Sequence, residues 1–163
     1  MKHPIERASK ADAIEILTLQ KLAYLSEAQI IDDFTIPPLH QTHDEILSEF
    51  DTHTFLKMVM DDHLIGSVRA CQKTDTCYIG KLIVHPRMQN RGIGSRLLRA
   101  AEALYPDVSR YELFTGSKSD RNLHIYTKYG YSPFHSEVIS DKLTLVFMEK
   151  QLTPSSFSQT ILS

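Results

Sequence analysis

The stretch HPRMQNRGIGSRLL, residues 85–98, decides how this chain is read. His85-Pro86 ends the apolar, β-rich run CYIGKLIV at 77–84. Five mostly polar residues follow, then Gly92 and Gly94 with one residue between them. From Gly92 to Tyr105 the apolar residues Ile93, Leu97, Ala101 and Leu104 share one face of a helix, with Arg96, Arg99 and Glu102 on another. Pro106 stops it. The first N–H groups of a helix have no internal partners, and the helix dipole places partial positive charge there. Such an end binds phosphate well. Gly92 and Gly94 lack a Cβ, so an anion can approach the main chain, while Arg91 adds charge and Ser95 a hydroxyl. A Walker loop is excluded, because no Lys-Ser/Thr follows the glycines. The dinucleotide fingerprint is excluded too, because Leu97 stands three residues after Gly94. A strand-to-helix turn whose glycines serve geometry alone stays open at this point.

Working outward, Ile5–Ala8 reads as a short strand, and Ser9-Lys10-Ala11-Asp12 opens a helix. Ile14, Leu17, Leu22, Tyr24, Leu25 and Ala28 fall on one broad face of it. Pro37-Pro38 predicts an extended break, and a second helix fits Asp44–Phe50 with Thr42 or His43 near its cap. TFLKMVM at 54–60 and LIGSVRAC at 64–71 read as strands joined by a hairpin turn at Asp61-Asp62-His63. Beyond the central helix, RYELFT at 110–115 reads as a strand. Ser119 caps a helix running to Tyr129 before Gly130, and 131–138 and 142–149 form a final strand pair. The order β, α, α, β, β, β, α, β, α, β, β points to a mixed α/β (α+β) domain with an antiparallel centre and crossover helices. The domain is expected over 1–151, with a loose Ser/Thr-rich tail at 152–163.

A chain of 163 residues suits one domain with one sizeable core. Its net charge of -2 gives no reason to expect nucleic-acid or membrane affinity. No apolar run approaches a membrane span, and MKHPIERASKADAIEIL has no apolar h-region before its first charges. The cytoplasm is therefore the expected location. Cys71 and Cys77 are expected as reduced packing residues rather than a disulfide framework. His40 and His43 lack the companions of a recognisable metal motif, so no metal is expected.

Two segments carry a family likeness. YIGKLIVHPRMQNRGIGSRLLRAAE (78–102) followed by DRNLHIYTKYGY (120–131) resembles the GNAT superfamily of acyl-CoA-dependent N-acetyltransferases. The first matches the Arg/Gln-x-x-Gly-x-Gly/Ala signature at Gln89, Gly92 and Gly94. The second matches Asn-x-x-x-Tyr…Gly-Tyr/Phe at Asn122, Tyr126, Gly130 and Tyr131. The resemblance implies a mostly antiparallel sheet of six or seven strands flanked by about four helices, with acetyl-CoA as co-substrate and an amine acceptor as partner. The main chain of Leu82, Ile83 and Val84 would pair with the pantetheine arm. The backbone at Gln89, Asn90, Arg91, Gly92, Ile93, Gly94 and Ser95 would hold the pyrophosphate. Asn122 would contact pantetheine and Tyr126 would stand near the sulfur. Independently of the family, Asn122 and Tyr126 are four apart on one helix and so share a face.

The implied chemistry asks for few special side chains. A neutral primary amine attacks the thioester carbonyl, an oxyanion forms, and CoA leaves as a thiolate. Backbone donors at 82–84 would stabilise the oxyanion, a contribution of about 3 kcal/mol for one such donor. Tyr126, with an ordinary pKa of about 10, would protonate the thiolate. The base is the gap. Tyr78 and Gly80 stand where relatives often carry one, which leaves Glu27, Glu112 or a water chain. No motif places a His or Asp beside either cysteine, and direct transfer needs no acyl-enzyme. Residues 22–56 hold seven acids and no Lys or Arg, which would suit a small cationic or peptidyl acceptor; Phe34, Ile36 and Leu39 would equally suit an apolar one. The protein is thus expected to be an N-acetyltransferase, as a monomer or homodimer. The alternatives are a non-catalytic acyl-CoA sensing module on the same fold and a nucleotide-phosphate binder that uses only the glycine turn.

Overall fold

The structure is a computed structural model describing residues 3–152. The chain begins with β1 (Ile5–Arg7) and turns through a short 3-10 helix into α1 (Ala13–Ile31), α2 (Pro37–His40) and α3 (His43–Glu49). It then meanders through β2 (Thr54–Met60), β3 (His63–Lys73) and β4 (Thr76–Val84). Next come α4 (Ile93–Leu104), β5 (Arg110–Gly116), α5 (Asp120–Lys128), β6 (Ser132–Val138) and β7 (Thr144–Gln151). The strands form one seven-stranded sheet in the order β1-β2-β3-β4-β5-β7-β6. Every neighbouring pair is antiparallel except β4 with β5.

Local chemistry explains most of these elements. Asp61 and Asp62 both adopt left-handed backbone (φ 51° and 63°) between paired Met60 and His63, the geometry of a two-residue hairpin turn. Thr42 caps α3 by accepting from the Glu45 N–H (3.1 Å), while the Glu45 carboxylate accepts from the Thr42 N–H (2.9 Å). Alternation along the strands feeds two cores. Phe55, Leu64 and Ile83 join Ile16, Leu19 and Ile46 on the α1–α3 side. Their strand neighbours Leu56 and Ile65 join Leu97, Leu98 and Ala101 of α4 on the other.

Two expectations are corrected. Pro37-Pro38 opens the single turn α2 rather than an extended break, because proline at the first helical positions forfeits no helix bond; only Ile36 before it is extended. The buried face of α1 is Ala13, Ile16, Leu19, Gln20 and Ala28, whereas Ile14, Leu22 and Leu25 are exposed. This helix is apolar nearly all round, so its periodicity does not select a face; docking on the sheet and a hydrogen bond from Arg69 to Gln20 (2.7 Å) do. Of the expected tail, Leu152 packs against the core and donates its N–H to the Ser109 carbonyl (2.8 Å); 153–163 lie outside the described residues.

Candidate active site

The site begins with a defect in β4. Ser67 pairs with Ile83 but Arg69 pairs with Gly80, so Lys81 and Leu82 stand against Val68 alone. Lys81 takes a left-handed φ of 45° at this bulge. On its other edge β4 pairs with β5 only from Thr76 to Tyr78. Beyond that register the two strands part, and β5 continues its pairing with β7 alone. The edge of β4 from Gly80 to Val84 is thereby free of a β5 partner; the Val84 carbonyl accepts a long contact, 3.5 Å, from the Gln89 amide.

Two clefts open at this split. The first, about 380 Å³, lies between the end of β4, the turn into α4 and α5. Leu82, Ile83, Val84, Gln89, Asn90, Gly92, Ile93, Gly94, Ser95 and Asn122 all line it. Arg91 does not: it is exposed outside the lining. Asn90 and Gly92 are left-handed (φ 64° and 80°), and a Cβ added to Gly92 would meet nothing within 4 Å. The first bond into α4 runs from the Arg96 N–H to the Gly92 carbonyl (3.1 Å), which leaves the amides of Ile93, Gly94 and Ser95 as the helix's orphan donors. Arg121 and Lys128 of α5 bring positive charge to the same cleft. Sequence reasoning missed them, although 121, 125 and 128 make a helical stripe beside the Asn122–Tyr126 pair.

The second cleft, about 830 Å³, lies between α1–α3 and the C-terminal strands. Tyr126 faces it, as do Tyr78, Gly80, Arg69 and Lys81. Four residues line both clefts: Tyr24, Glu27, Leu82 and Asn122. Glu27 is thus the acid at the junction, and it accepts a hydrogen bond from the Ser119 hydroxyl. Ser119 stands at the α5 cap position but makes no side-chain cap bond, a correction to the expected capping, because its hydroxyl is spent on Glu27. Glu112, the other acid considered as a base, pairs with Arg110 (2.9 Å).

The phenols differ from free tyrosine. Tyr126 is 4% exposed, and burial, reinforced by the nearby Tyr24 and Glu27, raises its pKa. Burial pushes Tyr24 up to about 12. The Asn122 amide donates to the Thr115 hydroxyl (3.3 Å), which ties α5 to β5. Cys71 and Cys77 are buried free thiols outside both linings, and burial pushes Cys77 up to about 12. His40 bonds through Nε2 to the Phe34 carbonyl (2.8 Å). Among the described residues no group of three potential metal ligands gathers. No described helix is long and apolar enough to cross a membrane. Of the seven acids in 22–56, only Glu27, Glu45 and Glu49 line the second cleft, and Arg69, Lys81 and Lys118 line it too. The wall is therefore mixed in charge rather than acidic.

The fold is thus a mixed α/β sheet split between β4 and β5, with a glycine-opened helix at the split. The model of the acetyltransferase (GNAT) family matches residues 16–131, so the chain belongs to the GNAT acetyltransferase family. PaiA N-acetyltransferase from Thermoplasma acidophilum, solved with coenzyme A, superposes with a TM-score of 0.77 at 17% identity, over 93% of this chain and 100% of that one. The putative acetyltransferase YncA from Salmonella typhimurium, solved with acetyl-CoA, gives 0.72 at 18% identity over 94% and 95%. At these identities the likeness concerns the fold. UPF0157 protein YqkA of Bacillus subtilis (strain 168) is 29% identical over 119 residues, 73% of this chain and 34% of that protein. The chain thus spans about a third of that relative's length.

Proposed function

We propose that the protein transfers the acetyl group of acetyl-CoA directly to a primary amine. The observation that carries this reading is the junction: two clefts meet at Tyr24, Glu27, Leu82 and Asn122, beside Tyr126 and the unpaired edge of β4. In this reading the first cleft takes the donor. The main chain of Leu82, Ile83 and Val84 pairs with the pantetheine arm. The amides of the turn from Gln89 to Ser95 take the pyrophosphate, with Arg121 and Lys128 adding charge. Arg91 acts through its long-range field alone.

The second cleft takes the amine. Glu27, directly or through a water, removes the ammonium proton. The amine nitrogen forms a bond to the thioester carbon, and β4 amides near Leu82 stabilise the oxyanion. Collapse breaks the carbon–sulfur bond, and Tyr126 gives its proton to the departing thiolate. Burial keeps the phenol protonated at neutral pH but makes it a weaker acid, so the transfer depends on the thiolate leaving within hydrogen-bond reach of it. Glu27 passes the first ammonium proton to solvent, and the nitrogen's second proton, released as the carbon–sulfur bond breaks, returns through Glu27 to Tyr126; of the two protons the ammonium loses, one ends on the thiol and one in solvent. The sequence motivated a sensing module by the lack of a base; Glu27 at the junction offers one. The compartment is proposed to be the cytoplasm, which cell fractionation checks.

The test is steady-state thiol release from acetyl-CoA with a panel of amines, followed by mass spectrometry of the product. Turnover on any amine to an acetamide supports the enzyme. Tight acetyl-CoA binding with no turnover across the panel would replace it with the sensing module.

A further inference from the structure

Charge in the acceptor-side cleft is distributed unevenly. Arg69 is 2% exposed, yet it lines this cleft. It stacks on the Phe55 ring (4.5 Å to the centroid), donates to Glu49 (2.9 Å) and Gln20 (2.7 Å), and keeps its Nε buried without a partner. Beside it Lys81 is held in left-handed backbone by the β4 bulge. The Lys81 ammonium has one acidic neighbour among the described residues, Glu49 at 3.8 Å, beyond hydrogen-bonding distance. Arg69 and the Gln41 amide both donate to the Oε2 atom of that carboxylate, and Lys81 faces its Oε1. Two cations therefore share one carboxylate, with Lys81 held 3.8 Å from it, and burial together with the Arg69 charge lowers the Lys81 pKa.

The remaining acids of the lining do not reach the Lys81 ammonium. Glu112 is paired with Arg110 (2.9 Å), and the Glu45 carboxylate accepts from the Thr42 N–H (2.9 Å). Glu27 lines both clefts, and Lys81, next to Leu82 in β4, lines the second. One cleft thus presents a carboxylate where the reacting amine must lie and an under-neutralised ammonium one residue along β4. Its far wall is apolar: Phe114 and Phe147 lie 5.3 Å apart by ring centroid, with Leu143, Leu145 and Ile139 nearby.

From this layout we infer that the acceptor is an amine carrying a carboxylate close to the nitrogen and an apolar side group, the class of hydrophobic α-amino acids, with Lys81 holding the carboxylate and Arg69–Glu49 positioning Lys81. The inference rests on the acetyltransferase reading above and names the substrate class of its site. A new anion at Lys81 supplies the partner that Glu49 cannot. An acceptor that is only cationic would bring a further positive charge beside Arg69 and Lys81.

The test compares phenylalanine, phenylalaninamide and phenethylamine, which share an apolar group and a primary amine but differ in the carboxylate. Binding to the protein–CoA complex is measured by calorimetry, and turnover by thiol release. Phenylalanine is expected to lead in both, with kcat/KM at least about tenfold above either analogue, the scale of one charge-assisted contact. In Lys81→Met the ratio is expected to fall to about one, and Lys81→Arg to restore most of it, while calorimetric CoA titration and melting show that each variant is folded. Equal or better use of phenethylamine by the native protein overturns the class, as does a preference that survives in Lys81→Met. Absence of binding by all three also overturns it. Selective binding of phenylalanine without turnover on any amine supports the carboxylate seat and overturns the transferase reading instead.

Discussion

Gly92 at φ 80° is a position that L side chains rarely adopt, and an added Cβ there would point into open space. Any substitution carries backbone strain of about 1 kcal/mol. Gly92→Glu adds a side chain and a negative charge where the pyrophosphate is proposed to sit, and is expected to weaken CoA binding by about 100-fold or more in calorimetric titration, since like-charge juxtaposition costs several kcal/mol. Unchanged affinity in a folded variant would remove the seat. Tyr126→Phe is expected to lower kcat about 100-fold with little change in CoA affinity. Because burial disfavours the phenolate, the Tyr126 pKa lies above its ordinary value, and its proton remains in place as pH rises to about 10. The pH–rate profile should accordingly show no falling limb below that pH that disappears in Tyr126→Phe. Glu27→Gln is expected to lower kcat by about 100-fold to 10,000-fold. Higher pH should partly restore it, as solution then supplies the neutral amine; a variant with native kcat at neutral pH would clear Glu27 of the base role. Gly92 was legible as a candidate from the turn it opens, and Asn122 and Tyr126 from the resemblance, their spacing of four adding only that they share a helix face. Glu27 was legible only as one of three options, because nothing in its neighbourhood of sequence says that α1 meets α5.

Elements were legible where local chemistry sets them. The Asp61-Asp62 turn, the Thr42 cap and the start of α4 each follow from a few adjacent residues. The β4 bulge did not show in CYIGKLIV, since an apolar run pairs equally well in either register, and the split of β4 from β5 depends on a strand more than twenty residues further on. Arg69, in the middle of β3, read as one polar residue in a strand; in the fold it ties that strand to α1 through Gln20 and to α3 through Glu49. Glu49→Ala would leave Arg69 buried without its carboxylate and is expected to cost about 3 kcal/mol. Calorimetry should show this as a fall in melting temperature of about 6 to 12 °C for a domain of this size. A fall under about 2 °C would mean that Gln20 and Phe55 suffice to hold the guanidinium.

At the scale of the whole molecule, the two motifs that carried the family likeness lie on either side of one cleft, on α4 and α5, although β5 separates them in sequence. The unpaired edge of β4 adds a requirement that a phosphate seat alone lacks, because it asks for an extended arm. Coenzyme A at about 100 times its Kd is therefore expected to stabilise the fold by about 2.7 kcal/mol. ATP offers phosphates without the pantetheine arm and should raise the melting temperature much less. A larger shift with ATP than with coenzyme A would favour the nucleotide-phosphate reading. The sequence by itself determined the mixed α/β order of elements, because helix starts and turns are short-range geometry that a few residues encode, and its two motifs pointed to the class of protein by their resemblance to the GNAT family. Tertiary structure alone decided which helix face is buried, where β4 and β5 part, that Glu27 stands at the junction, and that the acidic stretch meets Arg69 and Lys81 across the acceptor-side cleft. Those are contacts between residues tens of positions apart, and charge acts through space rather than along the chain.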